Sequence, residues 1–354
     1  MQPILTALLS YGLSGRVFHG PLLATHPGFR VQKVWRRPRS YSNPRSHSDI
    51  HAAHPEAQVV ESLAEILADP AIELVVVNTP EPTHFEFAQA ALNAGKHVLV
   101  EKAFTPTVAE ADELIALAEE KELLLSVYHN RRWDSDFLTV QKVLQGGLLG
   151  KMLEYEAHYD RFRPEKKQGW KEEKKPGTGI LYNLGSHLID QALQLFGWPE
   201  AVFADLRRQR AGVTVPDQFD LMLLYPEHKA LLRGSYLVRL SEPRYRLRGR
   251  KGTFLKYGLD PQEDALQAGK RPLTADWGTE DESIWGTLSC TLDGLDFEGR
   301  IASLPGNYLH FYLGLYHAIR DGEPLPVTAQ EVRQVIAIIE AALQSSETQQ
   351  VVRV

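Results

Sequence analysis

The run Leu74-Val75-Val76-Val77, inside the segment from Glu73 to Asn78, is apolar on both of its faces. A strand of that kind is stable only where both faces are covered, as in the interior of a parallel sheet. Its neighbours fit that placement. Strand-like runs from Ile4 to Leu9, Phe29 to Trp35, Val98 to Val100 and Leu123 to Tyr128 alternate with helical patterns. Those helices span Arg16 to Thr25, Ser62 to Ala68, Thr83 to Ala94 and Val108 to Lys121, the third stopped by Gly95. Ser62 and Glu65 have the spacing of a capping box. The alternation predicts βαβ units and a doubly wound parallel sheet over residues 1–128.

Beyond Tyr128 the pattern changes. Asp134 to Gln145 reads as an amphipathic helix ended by Gly146-Gly147. Lys151 to Asp160 and Ala201 to Tyr257 alternate as long antiparallel strands do, with turns at Pro226-Glu227-His228 and Gly249-Arg250-Lys251-Gly252. Two helices follow, from Tyr308 to Arg320 and from Thr328 to Ser345. Residues 129–354 are therefore expected to form an α+β domain on a large, mostly antiparallel sheet, giving an α/β protein overall. The charged stretch from Glu165 to Lys175 reads as a surface loop.

Composition removes several function classes. A chain of 354 residues, 43% hydrophobic, has room for two cores. Its net charge of -6 and lack of a broad basic patch argue against a nucleic-acid partner. The single cysteine, Cys290, rules out an internal disulfide and a cysteine-cluster metal site, and suits a reducing cytoplasm. No apolar run reaches the length that crosses a bilayer, and Met1-Gln2-Pro3-Ile4 does not open a signal peptide. A metal centre through His187 and Asp190 would lack further ligands, so none is expected.

Ser10-Tyr11-Gly12-Leu13-Ser14-Gly15 falls where the first strand meets the first helix. A dinucleotide-binding (Rossmann) domain needs glycines there, so that backbone amides and a helix N-terminus can meet a pyrophosphate. Gly12 and Gly15 meet the pattern, while Ser10 stands where it has its first glycine. Gly12, Leu13, Ser14 and Gly15 are thus candidate cofactor contacts. An NAD-preferring site carries an acid at the end of the second strand, but Trp35-Arg36-Arg37-Pro38-Arg39-Ser40 offers none. Guanidinium groups pair with a 2′-phosphate that a carboxylate would repel, so Arg36 and Arg37 favour NADP over NAD.

Thr79, Pro80 and His84 follow the buried strand and should lie at the carboxyl edge of the sheet, where ligands bind. Glu101-Lys102 ends the next strand at the same edge. Downstream, Asn183, His187, Asp190 and Gln194 share one helical stripe that carries no lysine, arginine or glutamate. Such a stripe suits a polar cleft better than bulk water.

These segments resemble the Gfo/Idh/MocA oxidoreductase family over nearly the whole length, and within it the branch of NADP-dependent scyllo-inositol dehydrogenases. The resemblance rests on the glycine turn with Phe18-His19-Gly20-Pro21, on Glu101-Lys102 and on His129-Asn130-Arg131-Arg132-Trp133-Asp134. It rests also on Leu184-Gly185-Ser186-His187-Leu188-Ile189-Asp190 and on Leu325-Pro326-Val327-Thr328. It implies a nicotinamide lying on the open face of the second domain's sheet, and a homodimer or homotetramer paired through such sheets. It also implies Lys102 as catalytic lysine, His187 as acid/base histidine, and Asp190 as binding substrate or orienting that histidine. Asn130, Arg131, Tyr159, Arg161, Asn183 and Tyr236 fall where substrate contacts are expected. Ser10, Ala103 and Asn183 replace a glycine, a proline and an aspartate of the family's pattern. The implied reaction is reversible oxidation of a secondary alcohol on a cyclic polyol or sugar. Two alternatives stand beside it: a non-catalytic, cofactor-bound sensor or regulatory protein, and a reductase of a non-sugar substrate.

Overall fold

The computed structural model describes residues 2–36, 50–166 and 169–354. It divides into two compact units. The first holds Met1–Asn130 together with Gln262–Trp277 and Asn307–Arg333, and the second holds Arg131–Pro261, Gly278–Gly306 and Gln334–Val354. Two later stretches of chain thus return to the first unit, where the sequence reading has one division near Tyr128. No helix among the described residues is long and apolar enough to cross a membrane.

In the first unit, β1 (Ile4–Leu8), β2 (Phe29–Trp35), β3 (Gln58–Val60), β4 (Leu74–Val77), β5 (His97–Val100) and β6 (Leu125–Val127) form a parallel sheet. Among the described residues its order is β3-β2-β1-β4-β5-β6, so the winding reverses between β1 and β4. All four residues of β4 are fully buried, as expected for a strand apolar on both faces. Helices His84–Asn93 and Val108–Glu120 bury Phe87, Ala88, Ala91 and Leu92, and Ala111, Leu114 and Ala118. The expected Ser62 capping box forms only in part: Glu65 Oε1 accepts from Ser62 N at 3.2 Å, but Ser62 Oγ accepts from Ala64 N at 3.2 Å, and the helix is shorter than expected, Ala64–Leu67, with Leu63 at its N-cap.

The returning helix Leu309–Asp321 explains why residues so far along the chain belong here. Phe311 packs edge-on to Tyr128 at 5.0 Å, and Phe29 meets Tyr312 at 5.7 Å and Tyr316 at 6.0 Å. Ser126 Oγ donates to Val327 O at 2.7 Å, closing the same seam.

The second unit is built on β7 (Met152–His158), β8 (Ala201–Arg207), β9 (Gln218–Leu224), β10 (Lys229–Ser235), β11 (Tyr245–Gly249), β12 (Gly252–Lys256), β13 (Gly286–Leu292), β14 (Leu295–Ile301) and β15 (Val352–Arg353). Among the described residues their order is β14-β13-β12-β11-β7-β10-β9-β8-β15. Only the β7–β10 pair is parallel among these neighbours. Strand alternation gives the sheet one apolar face, including Tyr155, Ala157, Leu221, Leu223, Ala230, Leu232, Tyr245 and Leu247. The helix Ser186–Phe196 covers it: Phe196 meets Tyr155 at 5.3 Å, and Tyr245 Oη donates to Gln191 Oε1 at 2.9 Å. The other face carries a ladder of ion pairs, with Glu154 to Arg248 and Lys229, and Glu156 to Arg246 and Arg233.

Candidate functional site

At the switch from β1 to β4 the chain builds the turn expected to hold a dinucleotide. Ser10 Oγ accepts from Gly12 N at 3.1 Å, so the serine that replaces a glycine braces the turn. Gly12 O accepts from Arg16 N at 3.0 Å, and the backbone then enters a π-turn, Gly15–His19, that runs into the α-helix Gly20–Thr25. A Cβ on Gly15 would lie 2.6 Å from Ser10 O and 3.1 Å from Asn78 Nδ2, so only glycine fits. Asn78, at the end of β4, ties the switch together. Its Nδ2 donates to Ser10 O at 2.8 Å, and Ser14 Oγ donates to its carbonyl at 3.4 Å. Gly12 and Leu13 stay exposed beside this brace. Exposed backbone at a helix start, with a glycine admitting close approach, fits a pyrophosphate.

Arg36, at the end of β2, is buried, and its amide donates to Val60 O at 2.9 Å. Arg37 lies outside the described residues.

Thr79, Pro80 and His84 gather at the end of β4. Thr83 Oγ1 donates to Pro80 O at 2.6 Å, which leaves Thr79 Oγ1 as donor in the 2.8 Å bond between the two hydroxyls. Thr83 holds the N-cap position of its helix without a side-chain capping bond, so its hydroxyl shapes the loop instead. His84 lies between Phe104 O at 3.1 Å and Thr79 O at 3.0 Å, and its neutral ring has one N–H to donate to one of them. Burial holds its imidazole below the ordinary pKa despite those carbonyls.

Glu101 and Lys102 follow β5, whose carboxyl end shares that edge because the strands are parallel. Lys102 is half-buried, its amide donates to Glu101 Oε2 at 3.1 Å, and the Lys102–Ala103 peptide is cis. Glu101 Oε1 receives His19 Nε2 at 2.9 Å, and His19 Nδ1 lies 2.6 Å from Tyr312 Oη. Burial pushes the Glu101 carboxyl up, but the bond and charge interaction with His19, and then the Lys102 charge, outweigh it and hold it below its ordinary value. Asn130, the last residue of the unit's first segment, is buried.

In the second unit the polar stripe starts on a π-turn, Leu181–Gly185, and continues along Ser186–Phe196. His187 and Asp190 are buried, Asn183 is half-buried and Gln194 is exposed, so only the first half of the stripe is covered. Arg132 grips Asp190 with two nitrogens, Nη2 to Oδ1 at 2.7 Å and Nε to Oδ2 at 3.0 Å. Arg131 bonds Asp134 at 3.1 Å, and Gln191 Nε2 donates to Arg131 O at 3.0 Å. Tyr159 lies 6.3 Å from the His187 ring, with the guanidinium carbons of Arg244, Arg161 and Arg131 at 4.6, 4.7 and 5.2 Å from its centroid.

Asn183 sits in a second polar knot. Its Oδ1 accepts from Lys171 Nζ at 2.9 Å and its Nδ2 donates to Tyr236 Oη at 3.2 Å. Burial raises the Tyr236 hydroxyl above its ordinary pKa, so it keeps its proton. Lys171 belongs to the stretch expected to be plain surface loop, and this bond gives it a contact with the polar stripe. Residues the sequence did not single out as site members are His19, Asn78 and Tyr312 in the first unit and Arg132, Lys171 and Arg244 in the second. His19 and Arg132 lie inside motifs already quoted, whereas Asn78, Tyr312, Lys171 and Arg244 carry no local signal. Among the described residues, no group of three or more His, Cys, Asp and Glu side chains could hold a metal ion.

Comparison with known proteins finds two family matches in succession along the chain. Residues 5–129 match the oxidoreductase family, NAD-binding Rossmann fold, and residues 141–354 match the oxidoreductase family, C-terminal alpha/beta domain. The chain is 44% identical over 348 residues to scyllo-inositol 2-dehydrogenase (NADP(+)) IolW of Bacillus subtilis, covering 98% of this chain and 95% of that protein. It is 39% identical to the uncharacterized oxidoreductase YdgJ of Escherichia coli, covering 97% and 96%. The solved structure of yvaA from Bacillus subtilis superposes with a TM-score of 0.94 at 42% identity, covering 100% of this chain and 99% of that one. The chain belongs to the Gfo/Idh/MocA family of oxidoreductases.

Proposed function

We propose that the protein is an NADP-dependent dehydrogenase that reversibly oxidises a secondary alcohol of a cyclic polyol or sugar, with scyllo-inositol the first candidate. The observation that carries this reading is Lys102, half-buried after β5 beside an ionised Glu101, on the same sheet edge as the Ser10–Gly15 turn. Support for a hydroxylated substrate comes from Asn183, Tyr236, Tyr159, Arg131 and Arg161 in the second unit, and from the substrate named for the Bacillus subtilis relative. The preference for NADP rests on the basic run Trp35 to Arg39 and on the cofactor in that relative's name.

Gly12, Leu13, Ser14 and Gly15 would hold the pyrophosphate through backbone amides, with Thr79 and Pro80 beside them and Arg36 and Arg37 on the 2′-phosphate. When bound, the dinucleotide supplies the hydride acceptor for oxidation and the donor for reduction. Lys102 donates a hydrogen bond from its ammonium to the substrate oxygen and favours alkoxide character there. His187 takes the hydroxyl proton and returns it in the reverse direction. Acid/base help of this kind is typically worth about 10²–10⁴-fold. Asp190, committed to Arg132, steadies the helix that carries His187. Asn183 binds a hydroxyl without taking its proton.

Further parts of the proposal are a cytoplasmic location and assembly as a homodimer or homotetramer, which light scattering would measure. The substrate test is a screen of inositols, aldoses and their keto forms with NADP and with NAD, read by reduced-nicotinamide absorbance. Turnover of a cyclic polyol or sugar with NADP is expected. A preference for NAD would contradict the 2′-phosphate assignment, and tight cofactor binding without turnover would assign a sensor instead.

A further inference from the structure

Three side chains from distant parts of the first unit form a buried line that ends at the lysine. Tyr312 Oη lies 2.6 Å from His19 Nδ1, His19 Nε2 lies 2.9 Å from Glu101 Oε1, and Glu101 Oε2 accepts the Lys102 amide at 3.1 Å. His19 and Tyr312 are 0% exposed. A satisfied core histidine would be the plain explanation. Yet that role does not require a carboxylate, and taking a carboxylate out of water is costly unless its charge is used and paired.

Chemistry sets the direction of the bonds. An ionised carboxylate only accepts, so Nε2 carries the imidazole proton. Burial raises the Tyr312 hydroxyl well above the ordinary pKa, so it keeps its proton and can bond Nδ1 in either protonation state of the ring. The imidazole is oriented from one end and the carboxylate is held from the other. The backbone around His19 is shaped for this. Gly20 follows it where a Cβ would stand 2.5 Å from Gly15 O and 2.8 Å from Tyr11 Oη. The groups facing Glu101 are His19, Lys102, His84 and Tyr312.

We propose that His19 and Tyr312 are positioning residues for Lys102: they hold Glu101 rigid and ionised against the Lys102 backbone, and so keep that ammonium charged and aimed. This rests on the assignment of Lys102 to the substrate oxygen. It goes beyond that assignment by naming the buried groups that set the lysine's charge.

The test is the titration of Lys102 in the full-length protein, followed by NMR of ¹³C-dimethylated lysines and assigned by the signal lost in Lys102→Arg. In His19→Leu the midpoint should fall by about one unit, since loosening a nearby opposite charge disfavours the ammonium. Tyr312→Phe should move it the same way by less, and His19→Gln, which keeps a donor for Glu101, should restore part of the shift. The pH profile of kcat should move with the midpoint. A Lys102 midpoint unmoved in both Tyr312→Phe and His19→Leu overturns the proposal. Should His19→Leu not fold, an unmoved midpoint in Tyr312→Phe alone overturns it. Because the titration needs no substrate, absence of alcohol oxidation in the wild type would count against the dehydrogenase reading and leave this measurement standing.

Discussion

At Gly15 one methyl group decides whether the dinucleotide turn can close. A side chain there meets Ser10 O at 2.6 Å, and backbone cannot move aside as a flexible side chain would. Gly15→Ala is expected to weaken NADP binding about tenfold or more, equivalent to about 1.4 kcal/mol, measured by nucleotide fluorescence titration. Unchanged affinity would place the cofactor elsewhere. Asp190 and Arg132 make a different residue-scale prediction. Each is buried, so removing either leaves an uncompensated charge. Asp190→Ala and Arg132→Ala should each cost about 3–5 kcal/mol in urea unfolding, with the double variant well short of the sum. A cost below about 1 kcal/mol would mean that the pair is solvated in the working protein. The places of Lys102, His187 and the glycine turn on their elements were legible in the sequence because each sits at a fixed offset from a strand end or along a helix. The Arg132–Asp190 and His19–Glu101 bonds span 58 and 82 positions, and no local pattern encodes a partner at such range.

The elements were legible where burial imposes a period. β1, β2, β4 and β5 are apolar runs of the expected kind, with helices between them. β13 and β14 were missed although they do alternate, at Leu288, Cys290 and Leu292 and at Leu295, Phe297 and Ile301; the apolar residues of β14 are not buried, so that period is not tied to a core there. The two π-turns were missed as well, since their extra residue per turn leaves the composition of a helix unchanged. The charged face of the large sheet has its own pH dependence. Burial works against the charge on His158, yet its bonds to Asp160 and Glu156 hold its pKa above the ordinary 6.5. Such a group stabilises the fold fully below 6.5 and ceases to do so as pH rises through the folded value. The stability advantage of wild type over His158→Gln should therefore be present at about pH 6 and shrink towards about pH 9, as read from urea midpoints. A gap independent of pH would contradict the ion-pair assignment.

At the scale of the whole chain, sequence order and structural membership part company. A break near Tyr128 is visible as a change of period, but nothing local marks residues 262–277 and 307–333 as belonging to the first unit. The helix from Tyr308 reads as ordinary amphipathic helix, and its aromatic contacts with Tyr128 and Phe29 show where it packs. A fragment ending at Tyr128 should therefore lack a cooperative thermal transition and a near-UV circular dichroism signal, because Phe311, Tyr312 and Tyr316 are gone from its core. A sharp transition in that fragment would contradict this packing. The most direct test of the account is alcohol-dependent NADPH formation by Lys102→Met, with NADP binding measured on the same protein. The expected result is a loss of about 10²–10⁴-fold in turnover with dinucleotide affinity retained. Turnover near that of the wild type would remove Lys102 from the chemistry and contradict the account at its centre.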